Sequence, residues 1–324
     1  MYDAVIIGCG RIAGYSQNGN IDNFTHGYAY MNNPEVQLVG CMDIDIEKGK
    51  AFANRYNCDH FEDIKTLIKS VQPHIVSVCT PDDTHFKITK TLLKMGENIR
   101  VIFLEKPACN TLDDMEMLIK LSADKNIDIV VNYTRRFDNR YVEIRKNITN
   151  GIFGSLVNGV VTYYSGWHHN GGHVIDTLSF IFNDTIIIDK ISNSFESPYR
   201  DDPTIEGKLT FSKLPGMIHL FSFDEKFYQL FEFDLRFEKS RLRIEDFGSR
   251  ILLENKIVNN IGENVLVMED NPFNKDETTA IQNALSIIVK QLNESNPDLL
   301  NGYRLEDVTE TMRTIWKGMS VYEN

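Results

Sequence analysis

"AVIIGCGRIAG", residues 4–14, decides the fold. A short apolar run ends in a glycine turn spaced G-x-G-x-x-A through Gly8, Gly10 and Ala13. The first glycine permits the tight turn. The second lets backbone approach a pyrophosphate, and the small third residue keeps the next helix close to the sheet. Such spacing alone is a weak signal. Its context strengthens it: a second apolar strand, "VQLVGCMD" (36–43), ends in Asp43, with Asp45 behind it. A carboxylate there accepts bonds from ribose hydroxyls and repels a 2′-phosphate, so NAD is favoured over NADP. An ordinary strand-end cap is the competing role for Asp43. Asp43 stands farther from the glycines than the usual ~20 residues. The excess is "YSQNGNIDNFT" (15–25), a polar insertion in the first crossover.

Working outward, three more buried strands follow: "HIVSVCT" (74–80), "RVIFLEKP" (100–107) and "IDIVVNY" (127–133). Continuous apolar runs of this kind suit a parallel sheet covered on both faces. Helical patterns separate them. "EDIKTLIKSV" ends before Pro73, and "THFKITKTLLKMG" places Ile88, Leu92 and Met95 on one face and stops at Gly96. "TLDDMEMLIKLSADK" opens with Thr111 as N-cap. The expectation is an α/β fold whose N-terminal domain, 1–134, is a Rossmann-type, doubly wound parallel sheet.

Beyond residue 134 the pattern changes. A helical stretch, "RYVEIRKNITNG", leads into extended runs at 156–165, 186–195, 204–212, 216–223, 228–237, 240–246 and 250–254. Short connections predict a C-terminal α+β domain, 135–324, with a large open, mostly antiparallel sheet. Two amphipathic helices close the chain, one marked by Ile281, Leu285, Ile288 and Leu292, the other by Val308, Met312, Ile315 and Met319.

The chain has 324 residues, enough for two domains, and a net charge of −12. Such a surface argues against nucleic acid and anionic membrane as partners. Five cysteines at 9, 41, 58, 79 and 109 form no C-x-x-C pair, which fits reduced thiols in a cytoplasmic protein. Asp3 interrupts the N-terminus, so no signal peptide is expected, and no apolar stretch approaches a membrane span.

"GCGRIA", "TPDDTH" (80–85) and "EKP" (105–107), taken in order, resemble the Gfo/Idh/MocA oxidoreductases, relatives of glucose–fructose oxidoreductase and inositol dehydrogenase. "RRFDNRY" (135–141), "NGIFGSLV" (150–157) and "DLRFEKSRLRIED" (234–246) extend the resemblance over most of the chain. It implies hydride transfer between NAD(P) and a sugar, polyol or related carbonyl, and a homodimer or homotetramer. It also implies a tight strand-end turn at "EKP", where a cis Lys106–Pro107 bond is expected. For the cofactor it points to Gly8, Gly10, Arg11, Ile12, Asp43, Thr80, Pro81, His85, Glu105 and Lys106. For catalysis it points to Lys106 and a downstream D-x-G-x-H-x-x-D segment. Here that segment ends in His173 and Asp176, with Gly171 as its glycine, and His169 stands where the first aspartate belongs.

"GWHHNGGHVIDTLSF" (166–180) therefore has three readings. His169 and His173, four apart, could ligate a metal, but two intervening glycines argue against a continuous helix and no further ligand cluster is present. His173 could merely pack at a helix start, the better reading for His168. Catalysis is preferred, with no metal: Lys106 and His173 divide proton transfer and oxygen polarisation in either order, and His169 joins them. Arg136, Tyr163, Trp167 and Asp176 are the candidate substrate residues, and Asp176 also orients His173. Without the aspartate the site is less anionic, which favours a nucleotide sugar over a polyol. The competing function is a non-catalytic, NAD-binding regulator of the same fold.

Overall fold

The computed structural model describes residues 1–14, 22–199, 201–270, 273 and 277–322. Two compact units form. One holds Met1–Asp138 and Asp276–Thr309, the other Asn139–Lys275 and Glu310–Asn324.

The first unit alternates β1 (Tyr2–Ile7), α1 (His26–Met31), β2 (Val36–Met42), α2 (Ile46–Tyr56), β3 (Asp59–Phe61), α3 (Ile64–Val71), β4 (Ile75–Val78), α4 (His85–Met95), β5 (Val101–Leu104), α5 (Leu112–Lys125) and β6 (Asp128–Val131). The strands pair in parallel in the order β3-β2-β1-β4-β5-β6. β4 and β5 are buried at every residue, as a sheet covered on both faces requires. Strand order reverses at β1 and β4, and their carboxyl ends open the crevice where such sheets take ligands. Three elements escape the sequence reading: β3, an edge of three residues, α1 and α2.

Backbone bonds explain the long spacing to Asp43. The His26 N–H donates to the Ile12 carbonyl at 3.1 Å, and the Gly27 N–H to that of Ala13 at 2.8 Å. In an unbroken helix residues 16 and 17 would fill those places. α1 thus resumes the register of the turn that ends at Gly14. Residues 15–21 of the insertion lie outside the described residues.

The second unit contains α6 (Asn139–Thr149), β7 (Leu156–Tyr164), α7 (Gly172–Phe182), β8 (Ile186–Phe195), β9 (Thr204–Phe211), β10 (Ile218–Phe223), β11 (Glu232–Phe237), β12 (Ser240–Glu245), β13 (Arg250–Val258) and β14 (Asn264–Met268). Its sheet runs β14-β13-β12-β11-β7-β10-β9-β8, antiparallel except for β7 beside β10. Alternation sets its faces: Leu242 and Ile244 are buried, while Arg241 and Arg243 pair with Asp234, Glu245 and Glu254 on the other side. β14 was not anticipated. Its apolar residues are largely exposed at the edge of the sheet.

α8 (Ala280–Glu294) corrects the division at residue 134. Its stripe of Ile281, Leu285 and Ile288 shares one core with Ala4, Ile6, Val101 and Val130 of the first unit. α9 (Thr309–Tyr322) belongs almost wholly to the second.

Candidate active site

The glycine turn is held from below. Gly8 adopts φ +88°, and a Cβ there would lie 2.8 Å from the Cys79 backbone and from Thr80 Cγ2. Only glycine fits both the conformation and the approach. At Gly10, a Cβ would meet nothing within 4 Å, so its backbone faces open space. A single helical turn follows, in which the Gly14 N–H reaches the Gly10 and Arg11 carbonyls. Ala13 is fully buried, Ile12 half-buried and Arg11 exposed.

Asp43 sits just past β2. Its Oδ2 accepts the Cys9 N–H at 2.7 Å and its Oδ1 the Asp45 N–H at 2.8 Å. The carboxylate thus braces the turn, and each oxygen keeps a second lone pair for a ribose hydroxyl. Asp45 instead caps α2 by accepting the Lys48 N–H at 3.1 Å. The expected acid pair is therefore one binding candidate and one helix cap. The open backbone at Gly10 and the fixed carboxylate of Asp43 fit a dinucleotide.

Turns after β4 and β5 meet through His85. Its buried ring lies 2.8 Å from the Thr80 carbonyl oxygen through Nε2 and 2.6 Å from that of Pro107 through Nδ1. It ties "TPDDTH" to "EKP". Thr80 is half-buried, Pro81 is exposed, and the Lys106–Pro107 bond is cis. Lys106 is half-buried; Glu105 is buried in a polar network. Glu105 Oε1 lies 2.9 Å from His26 Nε2 and accepts from Asn132 Nδ2 at 2.6 Å. His26 Nδ1 is 2.9 Å from Ser77 Oγ, which also meets the Tyr30 hydroxyl at 2.7 Å. Burial raises the Glu105 pKa, but the bond and charge of His26, the Asn132 bond and the Lys106 charge outweigh it. The carboxyl is held below its ordinary range. His26 and Asn132 were missed, because the insertion before His26 hides in the sequence which helix it begins.

In the second unit, Trp167–Gly171 forms one π-helical turn that runs straight into α7. The two glycines do not break the helix. A Cβ on Gly171 would lie 2.5 Å from the Trp167 ring, so glycine is needed here for packing. Trp167 is fully buried and its Nε1–H donates to the Ile315 carbonyl at 2.9 Å. Tyr163 is equally buried, its hydroxyl donating to the Ile205 carbonyl at 2.9 Å and accepting the Ile205 N–H at 2.7 Å. Neither offers surface to a substrate; both are core residues. Arg136, 3% exposed, is likewise committed, donating to the Gly302 carbonyl at 2.6 Å.

His169 and His173 are half-buried. His173 opens α7 with its ring edge-on to Phe231, centroids 6.5 Å apart. Asp176, buried on the next turn, accepts from Thr311 Oγ1 at 3.4 Å. His169 stacks on Tyr199 at 4.4 Å. Tyr199 and Asp202, which also contacts this turn, were missed because their approach is tertiary. Among the described residues no group of three or more His, Cys, Asp or Glu is arranged to hold a metal. No helix among them is long and apolar enough to cross a membrane.

A parallel sheet with a glycine turn after its first strand and a carboxylate after β2 defines a dinucleotide-binding fold. Residues 2–133 match the family described as "Oxidoreductase family, NAD-binding Rossmann fold", so this part of the chain is similar to the Gfo/Idh/MocA oxidoreductases. It is 28% identical over 138 residues to inositol 2-dehydrogenase of Rubrobacter xylanophilus, covering 42% of this chain and 38% of that one. The chain spans about two fifths of the length of curated relatives it matches. Among solved structures, an oxidoreductase of Desulfitobacterium hafniense described as NADPH-dependent superposes with TM-score 0.79 at 14% identity, over 98% of this chain and 94% of that one. UDP-N-acetylglucosamine 3-dehydrogenase of Acidithiobacillus ferrooxidans gives 0.70 at 13%, over 98% and 96%.

Proposed function

We propose that this chain is an NAD-dependent dehydrogenase acting on a secondary alcohol, or the matching ketone, of a neutral polyol or sugar. The observation that carries the reading is the glycine turn braced by Asp43 beside the "EKP" turn. Nicotinamide, when bound, exchanges the hydride. The chain's own work is then to hold the substrate oxygen and move its proton. Lys106 and His173 share that work, one as proton carrier and the other polarising the oxygen. Asp176 orients His173.

The nucleotide sugar becomes the second substrate class. Arg136, a candidate substrate residue whose charge would suit a phosphate, has its guanidinium buried against Gly302. The support for the nucleotide sugar was a site lacking the aspartate at 169, yet Asp202 brings a carboxylate to the same turn. The relative named inositol 2-dehydrogenase supports the polyol, and the fold neighbour named for a UDP-sugar keeps the second class in play. Our reading further places a homodimer or homotetramer in the cytoplasm, in keeping with five unpaired thiols.

Steady-state turnover with NAD on a panel of inositols, sugars and UDP-sugars tests the reading. We expect the highest kcat/KM on an uncharged polyol. Tight NAD binding with no turnover on any member would support the regulatory alternative instead.

A further inference from the structure

The start of the histidine turn is capped by a segment from far along the chain. Four successive N–H groups, which no helical carbonyl can take, find partners in Asp202–Thr204. Gly166 donates to Thr204 Oγ1 at 2.9 Å, and Trp167 to the Pro203 carbonyl at 2.7 Å. His168 donates to Asp202 Oδ1 at 2.6 Å, and His169 to Asp202 Oδ2 at 3.0 Å. The first bonds within the turn follow at once, from Asn170 and Gly171 to the Gly166 carbonyl.

The same loop supplies Tyr199, whose ring lies nearly parallel to the His169 imidazole, 24° between planes. Gly166 makes the approach possible. It adopts φ +86°, and a Cβ there would fall 2.7 Å from Asp202 Oδ2 and 2.8 Å from Tyr199 Cδ2. The loop is braced internally as well: Ser197 Oγ accepts the Tyr199 N–H at 3.0 Å and donates to the Asp202 carbonyl.

We infer that Tyr199 and Asp202 are positioning residues for His169, Asp202 fixing the backbone of the turn and Tyr199 the plane of the imidazole. The inference rests on the reading of His169 as a substrate-facing group. Asp202 also restores, from another strand connection, a carboxylate next to a position that lacks one. A second carboxylate at 169 would then face a like charge.

The test is a double-mutant cycle on NAD-linked turnover of the best polyol, with NAD affinity measured separately by calorimetry. Tyr199→Ala is expected to raise KM about tenfold, with kcat within a few-fold and NAD affinity unchanged. Tyr199→Phe, which keeps the stack, should restore KM to within about twofold. Because Tyr199 acts through His169, His169→Ala/Tyr199→Ala should be no worse than His169→Ala alone. His169→Asp should be impaired, because the new carboxylate faces that of Asp202. In NMR spectra of the full chain, Tyr199→Ala should shift the His169 ring protons as the ring current is lost. Additive losses in the cycle, or unshifted His169 resonances, would overturn the inference while leaving the dehydrogenase reading intact. An unchanged KM and kcat in His169→Ala would overturn both the role of His169 and the inference built on it.

Discussion

Two glycine-rich turns carry the candidate chemistry, and they use glycine for different reasons. In the first unit, Gly8 is required by a positive φ and by contact with the neighbouring strand end at Cys79. In the second, Gly171 is helical and is small because the Trp167 indole lies against it. The first turn is braced by groups at adjacent strand ends, the second by a loop more than thirty residues downstream in sequence. A local rule reads the first; only the fold reads the second.

The comparison can be broken most sharply at Gly8. Gly8→Val should leave no measurable NAD binding and lower the melting temperature, because backbone must move to admit the side chain. Retained NAD affinity would mean that the turn is not the cofactor's seat. Next in size is Lys106→Met. It should lower kcat by about a thousandfold, as loss of a proton-transfer group does, with NAD affinity within a few-fold. Activity equal to wild type would leave Lys106 a structural residue.

Trp167→Ala sharpens the other side. It should cost about 3–5 kcal/mol in urea unfolding, the usual cost of truncating a buried aromatic, without changing NAD affinity. A cost below about 1 kcal/mol would show that the second turn does not depend on the indole.

The smallest effect concerns Glu105. Its folded pKa is depressed, chiefly because the His26 bond and charge overcome the burial that raises it. A depressed carboxylate contributes stability above its unfolded pKa, near 4.3, and loses it as pH falls through the folded value. Wild-type stability should therefore fall more steeply below about pH 4 than that of Glu105→Gln. Parallel pH profiles would show that the network does not hold the charge.

How much of this was legible follows the same division. The parallel sheet could be read because β1, β2, β4, β5 and β6 are nearly all apolar, and the cis-proline because "EKP" is a specific turn. The insertion could be seen as excess length, but His26 could not be matched to Glu105 without the bonds from His26 and Gly27 back to Ile12 and Ala13. Aromatic and basic side chains near the histidines suggested a substrate pocket. Tyr163, Trp167 and Arg136 are instead spent on backbone groups of their own units. Residue type tells that a tyrosine or arginine needs a partner when buried, not whether it is buried. α8 misled for a related reason: its apolar stripe shows that it packs, and not on which sheet.

The central claim is that Asp43 and the glycine turn make this an NAD site. Calorimetric titration of the wild-type protein with NAD and with NADP tests it most directly. The account predicts one NAD per chain, bound at least about tenfold more tightly than NADP, since a fixed carboxylate repels the 2′-phosphate. Tighter binding of NADP, or no binding of either, would contradict it.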